Sequence, residues 1–276
     1  MTNLNDLESF SGLKANTEKM PMLFLGHGSP MNAIEENQFV KGFRDIAGTL
    51  PRPRAIICIS AHYYTRGTRV TAMEKPRTIH DFGGFPRELY EVQYPAKGDP
   101  ELAKNTQKLL APDVAELDEK WGLDHGAWSV IKHLYPKADV PVIELSIDYT
   151  QPASFHYSLA QRLVTLRNKG ILFIGSGNII HNLSLVDFGN FNMDNYGYDW
   201  AAEARETLNH LITEGNHQAL VDYHQLPRAV QLAVPTPDHY LPLIYVLGLQ
   251  QKGENISLFN DKLMAGSLSM TSMKID

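Results

Sequence analysis

Leu23-Phe24-Leu25-Gly26-His27-Gly28-Ser29-Pro30 is a short apolar run that stops at a histidine held between two glycines. Such a run predicts a buried strand that delivers an imidazole to a working edge. A glycine on each side removes the Cβ that blocks close approach and permits backbone angles that other residues avoid. Pro30 forbids further strand pairing and suits the first turn of a following helix.

Working outward, the apolar spacing of Phe39, Phe43, Ile46, Ala47 and Leu50 predicts a helix within 35–50, ended by Pro51 and Pro53. Ala55-Ile56-Ile57-Cys58-Ile59-Ser60 is β-branched and almost wholly apolar, as a strand covered on both faces should be. It runs into Ala61-His62, so a second histidine arrives at a strand end. Strand, helix and strand in succession predict a βαβ unit. The alternation continues: an edge strand at 69–74, a helix at 100–110, a short strand at 114–118 and a helix at 126–134. A strand at 141–148, a helix at 153–168 capped by Gly170, and a strand at 171–174 follow. Helices at 198–214 and from His239 onward, then closing strands at 256–260 and 267–275, complete the chain. Thr236 or Asp238 is expected to cap the helix that starts at His239. The fold class is therefore α/β: a single domain, 21–276, with a mostly parallel or mixed central sheet flanked by helices, preceded by a partly ordered arm at 1–20.

Composition narrows the function. The 276 residues are 43% hydrophobic, ample for a packed core, and the net charge of −6 with no strong Lys/Arg cluster argues against nucleic acid. The one cysteine, Cys58, excludes internal disulfides and thiolate metal clusters and reads as a buried strand residue. The first 20 residues lack the pattern of a signal peptide, and no run is long enough to span a membrane, so a cytoplasmic protein is expected.

Histidines carry the chemistry. In open α/β sheets ligands bind outside the carboxyl ends of strands, where His27 and His62 are expected, together with His181 after the loop Gly175-Ser176-Gly177-Asn178. His239 stands at a predicted helix start. Imidazole suits Fe, Zn, Cu and Ni, whereas Mg and Ca want several oxygens; a histidine-rich site for Fe(II) or Zn(II) fits best. The Gly175–Asn178 loop has neither a dinucleotide fingerprint nor a Walker lysine, and neither Ser29 nor Ser176 sits in a nucleophile elbow. The irregular stretch 75–100 is long enough to require a task, such as a pocket wall. His125, in Asp124-His125-Gly126 beside Trp121 and Trp128, is a further candidate. His80, His133, His156, His210, His217 and His224 lack such settings.

Six motifs in order resemble one family: Gly26-His27-Gly28-Ser29-Pro30-Met31, Ser60-Ala61-His62, Ile79-His80-Asp81-Phe82-Gly83-Gly84-Phe85-Pro86, Asp124-His125-Gly126, Ser176-Gly177-Asn178-Ile179-Ile180-His181-Asn182-Leu183, and Thr236-Pro237-Asp238-His239-Tyr240-Leu241-Pro242-Leu243. Together they resemble the DOPA 4,5-dioxygenase branch of the class III extradiol ring-cleaving dioxygenases, from about Pro21 to Met270. The resemblance implies an α/β domain that inserts both atoms of O2 into a catechol, with the catechol and O2 as small-molecule partners. It implies that His27 and His62 bind the metal, that His239 takes the third ligand position, and that His181 is the acid/base near the metal or a further ligand. His125 would line the same pocket and share the proton donation. Phe82, Phe85, Tyr90, Trp128 and Tyr240 are candidates to hold the aromatic ring, and Arg66, Arg87 or Arg228 to hold an acidic tail. The wider superfamily places a carboxylate where His239 stands here, so Fe(II) is expected for catalysis and Zn(II) as a competing occupant. A Zn-dependent hydrolase built on the same histidines is the alternative reading.

Overall fold

The computed structural model describes residues 19–191 and 193–276; the predicted N-terminal arm falls, but for its last two residues, outside them. Six strands form the central sheet: β1 (Met22–Gly26), β2 (Ala55–Ser60), β3 (Val142–Glu144), β4 (Ile171–Gly177), β5 (Ile256–Phe259) and β6 (Ser272–Ile275). Their order is β3-β2-β4-β1-β6-β5. The first four run parallel, and β6 and β5 add an antiparallel edge, so the sheet is mixed.

Strand residues alternate between two faces, and both faces are covered. Phe24, Ile57 and Phe173 join a core beneath α3 (Ala153–Gln161), α4 (Asp199–Thr213) and α5 (Leu241–Gly248). Leu25, Cys58 and Ile174 point the other way, into a core with Phe43 of α1 (Gln38–Ala47) and Trp128 of α2 (His125–Leu134). Burial on both sides is why these strands read as unbroken apolar runs rather than as alternating ones. Among the described residues no helix is long and apolar enough to cross a membrane.

Several elements differ from their expected form. β1 and β2 are parallel but not neighbours, because β4 lies between them. The run 141–148 breaks after β3: Ile147–Asp148 leaves the central sheet to pair with Tyr64–Thr65, and the Ser146 hydroxyl accepts the Arg69 N–H at 2.7 Å. The helix expected over 153–168 tightens into a 3-10 turn at Val164–Lys169, closed by Gly170 at φ 76°. The final run also divides, with Leu268–Ser269 pairing with Leu263–Met264 before β6 begins. The strand at 171–174 extends to Gly177. Its glycines make this possible: a Cβ on Gly175 would meet the Pro242 carbonyl oxygen at 2.5 Å, and one on Gly177 the His239 carbonyl oxygen at 2.2 Å. Gly175 and Gly177 therefore admit the backbone that carries His239, rather than a phosphate.

Candidate metal centre

The parallel register sets Gly26 beside Gly177 and Ser60 beside Ser176. β1 and β2 are two ladder steps apart, roughly 10 Å, and the small residues ending β4 leave the gap between them open. His27 and His62 reach across it, and their Nε2 atoms stand 3.3 Å apart. His239, just before α5, closes the group. The ring centroids of His27, His62 and His239 are 5.1 Å apart in each of the three pairs. Three imidazoles holding one ion tetrahedrally at about 2.1 Å would place their centroids roughly 5 Å apart.

Each ring is turned by a partner on its far nitrogen. The Ser176 hydroxyl donates to the Gly126 carbonyl at 2.5 Å, so its oxygen accepts from His27 Nδ1–H at 3.1 Å and leaves the His27 Nε2 lone pair facing inward. His239 Nδ1 donates to the Asp238 carboxylate. This carboxylate turns to the histidine, and α5 has no side-chain cap of the kind expected from Thr236 or Asp238. Asp81 Oδ2 lies 3.5 Å from His62 Nδ1, while Asp81 Oδ1 accepts the His125 backbone N–H at 2.9 Å and lies 3.0 Å from His125 Nδ1. The His62 backbone N–H donates to Ser60 Oγ at 3.2 Å, and that hydroxyl donates to Asp124 at 2.6 Å. Asp124 also caps α2 through the Ala127 N–H, so the end of β2 and the start of α2 are tied through one carboxylate.

The electrostatics favour neutral rings at His27 and His62. Burial, then the neighbouring histidines His239, His62, His125 and His181, hold His27 well below the ordinary histidine range. Burial and His125 do the same to His62, against the opposing pull of Asp81. For Asp238 burial acts upward, but the bond to His239 outweighs it and the carboxyl is held below its ordinary range. Neutral imidazoles with converging lone pairs and carboxylates behind them are a donor set suited to a divalent transition metal. His27, His62 and His125 also offer ring nitrogens within 4.8 Å of one another, and the ring nitrogens of His181 and His239 and a carboxylate oxygen of Asp238 lie equally close together. The His27–His125 and His62–His125 centroid distances are unequal, at 5.8 and 3.9 Å.

These five histidines line one cavity of about 570 Å³. Phe82 and Phe85, from the long irregular stretch, form part of its wall. The other aromatic candidates lie elsewhere. Tyr90 packs behind Phe82, with ring centroids 5.1 Å apart. Trp128 is buried and donates to the Ile79 carbonyl at 2.8 Å, and Tyr240 is buried with its hydroxyl on the Leu220 carbonyl at 3.0 Å. Neither Arg66, Arg87 nor Arg228 lines the cavity; its remaining wall is largely apolar and includes Met31, Leu183, Val186, Phe188, Phe191, Met264 and Leu268. Sequence reasoning missed this rim and the orienting pair Asp81 and Asp238. The only available signals were the aspartate adjacent to His239 and two phenylalanines three apart in Asp187-Phe188-Gly189-Asn190-Phe191.

A family model described as the catalytic LigB subunit of aromatic ring-opening dioxygenase matches residues 21–266, and with them every histidine of the site. The chain belongs to the LigB family. It is thus an aromatic ring-opening dioxygenase of the extradiol class, a metal-dependent enzyme family, as the resemblance implied. Among LigB relatives, a 4,5-DOPA dioxygenase extradiol of Escherichia coli (strain K12) is 46% identical, covering 94% of this chain and 96% of that one. Another of the same name from Beta vulgaris is 34% identical, over 91% and 94%. The crystal structure of an uncharacterized protein from Escherichia coli K12 superposes with a TM-score of 0.80 at 42% identity, covering 94% of this chain and all of that one.

Proposed function

We propose that this chain opens the ring of a catechol beside its two hydroxyls, with His27, His62 and His239 holding Fe(II) and His181 moving the proton. The equal 5.1 Å triangle of ring centroids is the observation that carries the metal assignment. DOPA is the catechol named in the relatives, and it belongs to the class of flat, doubly hydroxylated rings that the cavity can admit. Fe(II) supplies the one-electron chemistry that O2 requires, which Zn(II), competing for the same neutral donors, lacks.

The residues around the metal divide the remaining work. His181 lies flat on His239, with ring centroids 3.5 Å apart and planes 9° from parallel. Two rings in nearly parallel planes 3.5 Å apart cannot both aim an in-plane lone pair at one ion. That supports an acid/base role over a ligand role for His181. Burial, then His239, pushes His181 down to about 3, so it rests neutral with a ring nitrogen open to a catechol hydroxyl; the negative charge of a bound catecholate beside it would raise its basicity and let it take the proton. The same proton, held on His181, can return to an oxygen of the opening ring. His125, beside His62 and steadied by Asp81, lines the same cavity and can hydrogen-bond to a substrate oxygen. Phe82 and Phe85 offer aromatic faces to the substrate ring and exclude water.

Anaerobic loading with Fe(II), followed by a catechol and air, tests the reading. A yellow ring-fission product with matching O2 uptake is expected. Absence of both with every catechol tried, together with ester or amide cleavage by the Zn(II)-loaded protein, would overturn it in favour of a hydrolase.

A further inference from the structure

The cavity is shaped for more than a bare catechol, and its charge is informative. A volume of about 570 Å³ falls within the range of sites for drug-sized ligands, well beyond a single small ring. No arginine, lysine, aspartate or glutamate lines it among the described residues. Asp81 and Asp238 stand behind the rings and are engaged with histidines.

Beyond the metal centre the wall passes into the segment 183–191. Leu183, Val186, Phe188 and Phe191 face the cavity from it, opposite Met264. Leu183 and Phe188 are nevertheless 63% and 78% exposed, unusual for large apolar side chains that already line a pocket. They border the histidines on one side and solvent on the other, so an apolar group extending outward from a ring bound at the metal would cover them. A zwitterionic side chain in the same place would meet no countercharge and would leave these apolar faces in water.

We infer that the enzyme selects catechols carrying an uncharged apolar substituent on the carbon para to one hydroxyl, gripped by Leu183, Phe188 and Phe191, over catechols bearing an ammonium or carboxylate tail. The inference rests on the ring-opening reading and names its substrate class. Each buried methylene is worth roughly fourfold in affinity, so a propyl chain, partly covered, should gain at least about tenfold.

Calorimetry on the Zn(II)-loaded protein, which binds without turnover, measures the preference directly, using 4-propylcatechol and L-DOPA as probes. The expected result is a Kd for 4-propylcatechol at least about tenfold below that for L-DOPA, with a negative heat-capacity change. In Phe188→Ala and Phe191→Ala that ratio should fall, and Phe188→Lys should shift preference toward 3,4-dihydroxyphenylpropionate. Equal or tighter binding of L-DOPA, or variants that alter both Kd values by one factor, would overturn the inference. Melting temperatures verify that the variants fold. Failure of the Fe(II)-loaded enzyme to open any catechol would instead count against the ring-opening reading, leaving the ranking of Kd values to stand or fall separately.

Discussion

The imidazole of His181 stacks on that of His239 at 3.5 Å, nearly parallel, while Asp238 holds His239 from the far nitrogen. In the proposed function His239 is the ring that holds the metal and His181, stacked on it, is the one that moves the proton. His181→Ala should therefore retain the metal and lose turnover by about 10²- to 10⁴-fold, the usual contribution of a positioned acid/base. His239→Ala should lose the metal itself. Metal content by atomic absorption, beside kcat for each purified variant, checks both. Equal metal loss in the two would show that His181 is a ligand.

Asp238 acts through His239. Asp238→Asn keeps the shape of the side chain but removes the charge that accepts the His239 Nδ1–H and orients the ring. Zn(II) affinity should fall about 10- to 100-fold, as for other partners of metal-binding histidines. Competition against a chromophoric chelator provides the measurement, and an unchanged affinity would count against the orientation argument.

Gly177 is where the sheet meets the third histidine. Its N-terminal neighbour Ser176 orients His27, and the following Asn178 N–H donates to the His239 carbonyl at 2.9 Å. Gly177→Ala would drive a methyl into that carbonyl and should cost about 1–3 kcal/mol of stability by overpacking. Metal occupancy should fall with it, because His239 must move. Urea denaturation and metal content of the same sample test this; a stable variant with full metal occupancy would contradict it.

Much of the site could be read from the chain because His27 and His62 each end an apolar strand, and strand ends on one edge converge. The same logic fails for what tertiary structure alone brings in. Asp81 reaches His62 from 19 positions later in the sequence and His125 from 44 positions earlier, by a path that an irregular stretch does not disclose. Leu183–Leu185 and Phe188–Asn190 are single turns, too short to show a period. Tyr240 and Trp128 mislead for the opposite reason. Each stands close in sequence to a cavity histidine, but the helical turn sends it into the core, where Leu220 and Ile79 carbonyls take its polar hydrogen. Closing-strand boundaries were obscured by Met270 and Thr271, whose backbone turns between two separate pairings.

A second buried charge group anchors the fold away from the site. Arg167 is fully buried, and its guanidinium forks onto Glu254 at 2.9 and 2.6 Å, with Lys19 at 2.5 Å from the same carboxylate. Burial alone would raise the Glu254 carboxyl, but the bonds from Arg167 and Lys19 outweigh it and hold the group down to about 2. A depressed folded-state value means that the contribution is present above the unfolded value, about 4.3, and is lost as pH falls through about 2. Glu254→Gln should cost about 3 kcal/mol at pH 7, and the gap to the parent should narrow between pH 4 and pH 2. Denaturant unfolding at those pH values measures it; a gap that widens on acidification would contradict the assignment.

Ring opening by this enzyme should place both atoms of O2 in the product. The Fe(II)-loaded enzyme, given a catechol under ¹⁸O₂ in unlabelled water, should form a ring-opened product in which both labelled atoms are incorporated, apart from exchange of the aldehyde oxygen with solvent, which rapid reductive trapping limits. Mass spectrometry of the trapped product reads the count directly. Two labelled atoms are the result this account predicts, and a ring-opened product whose oxygen comes from water would contradict it.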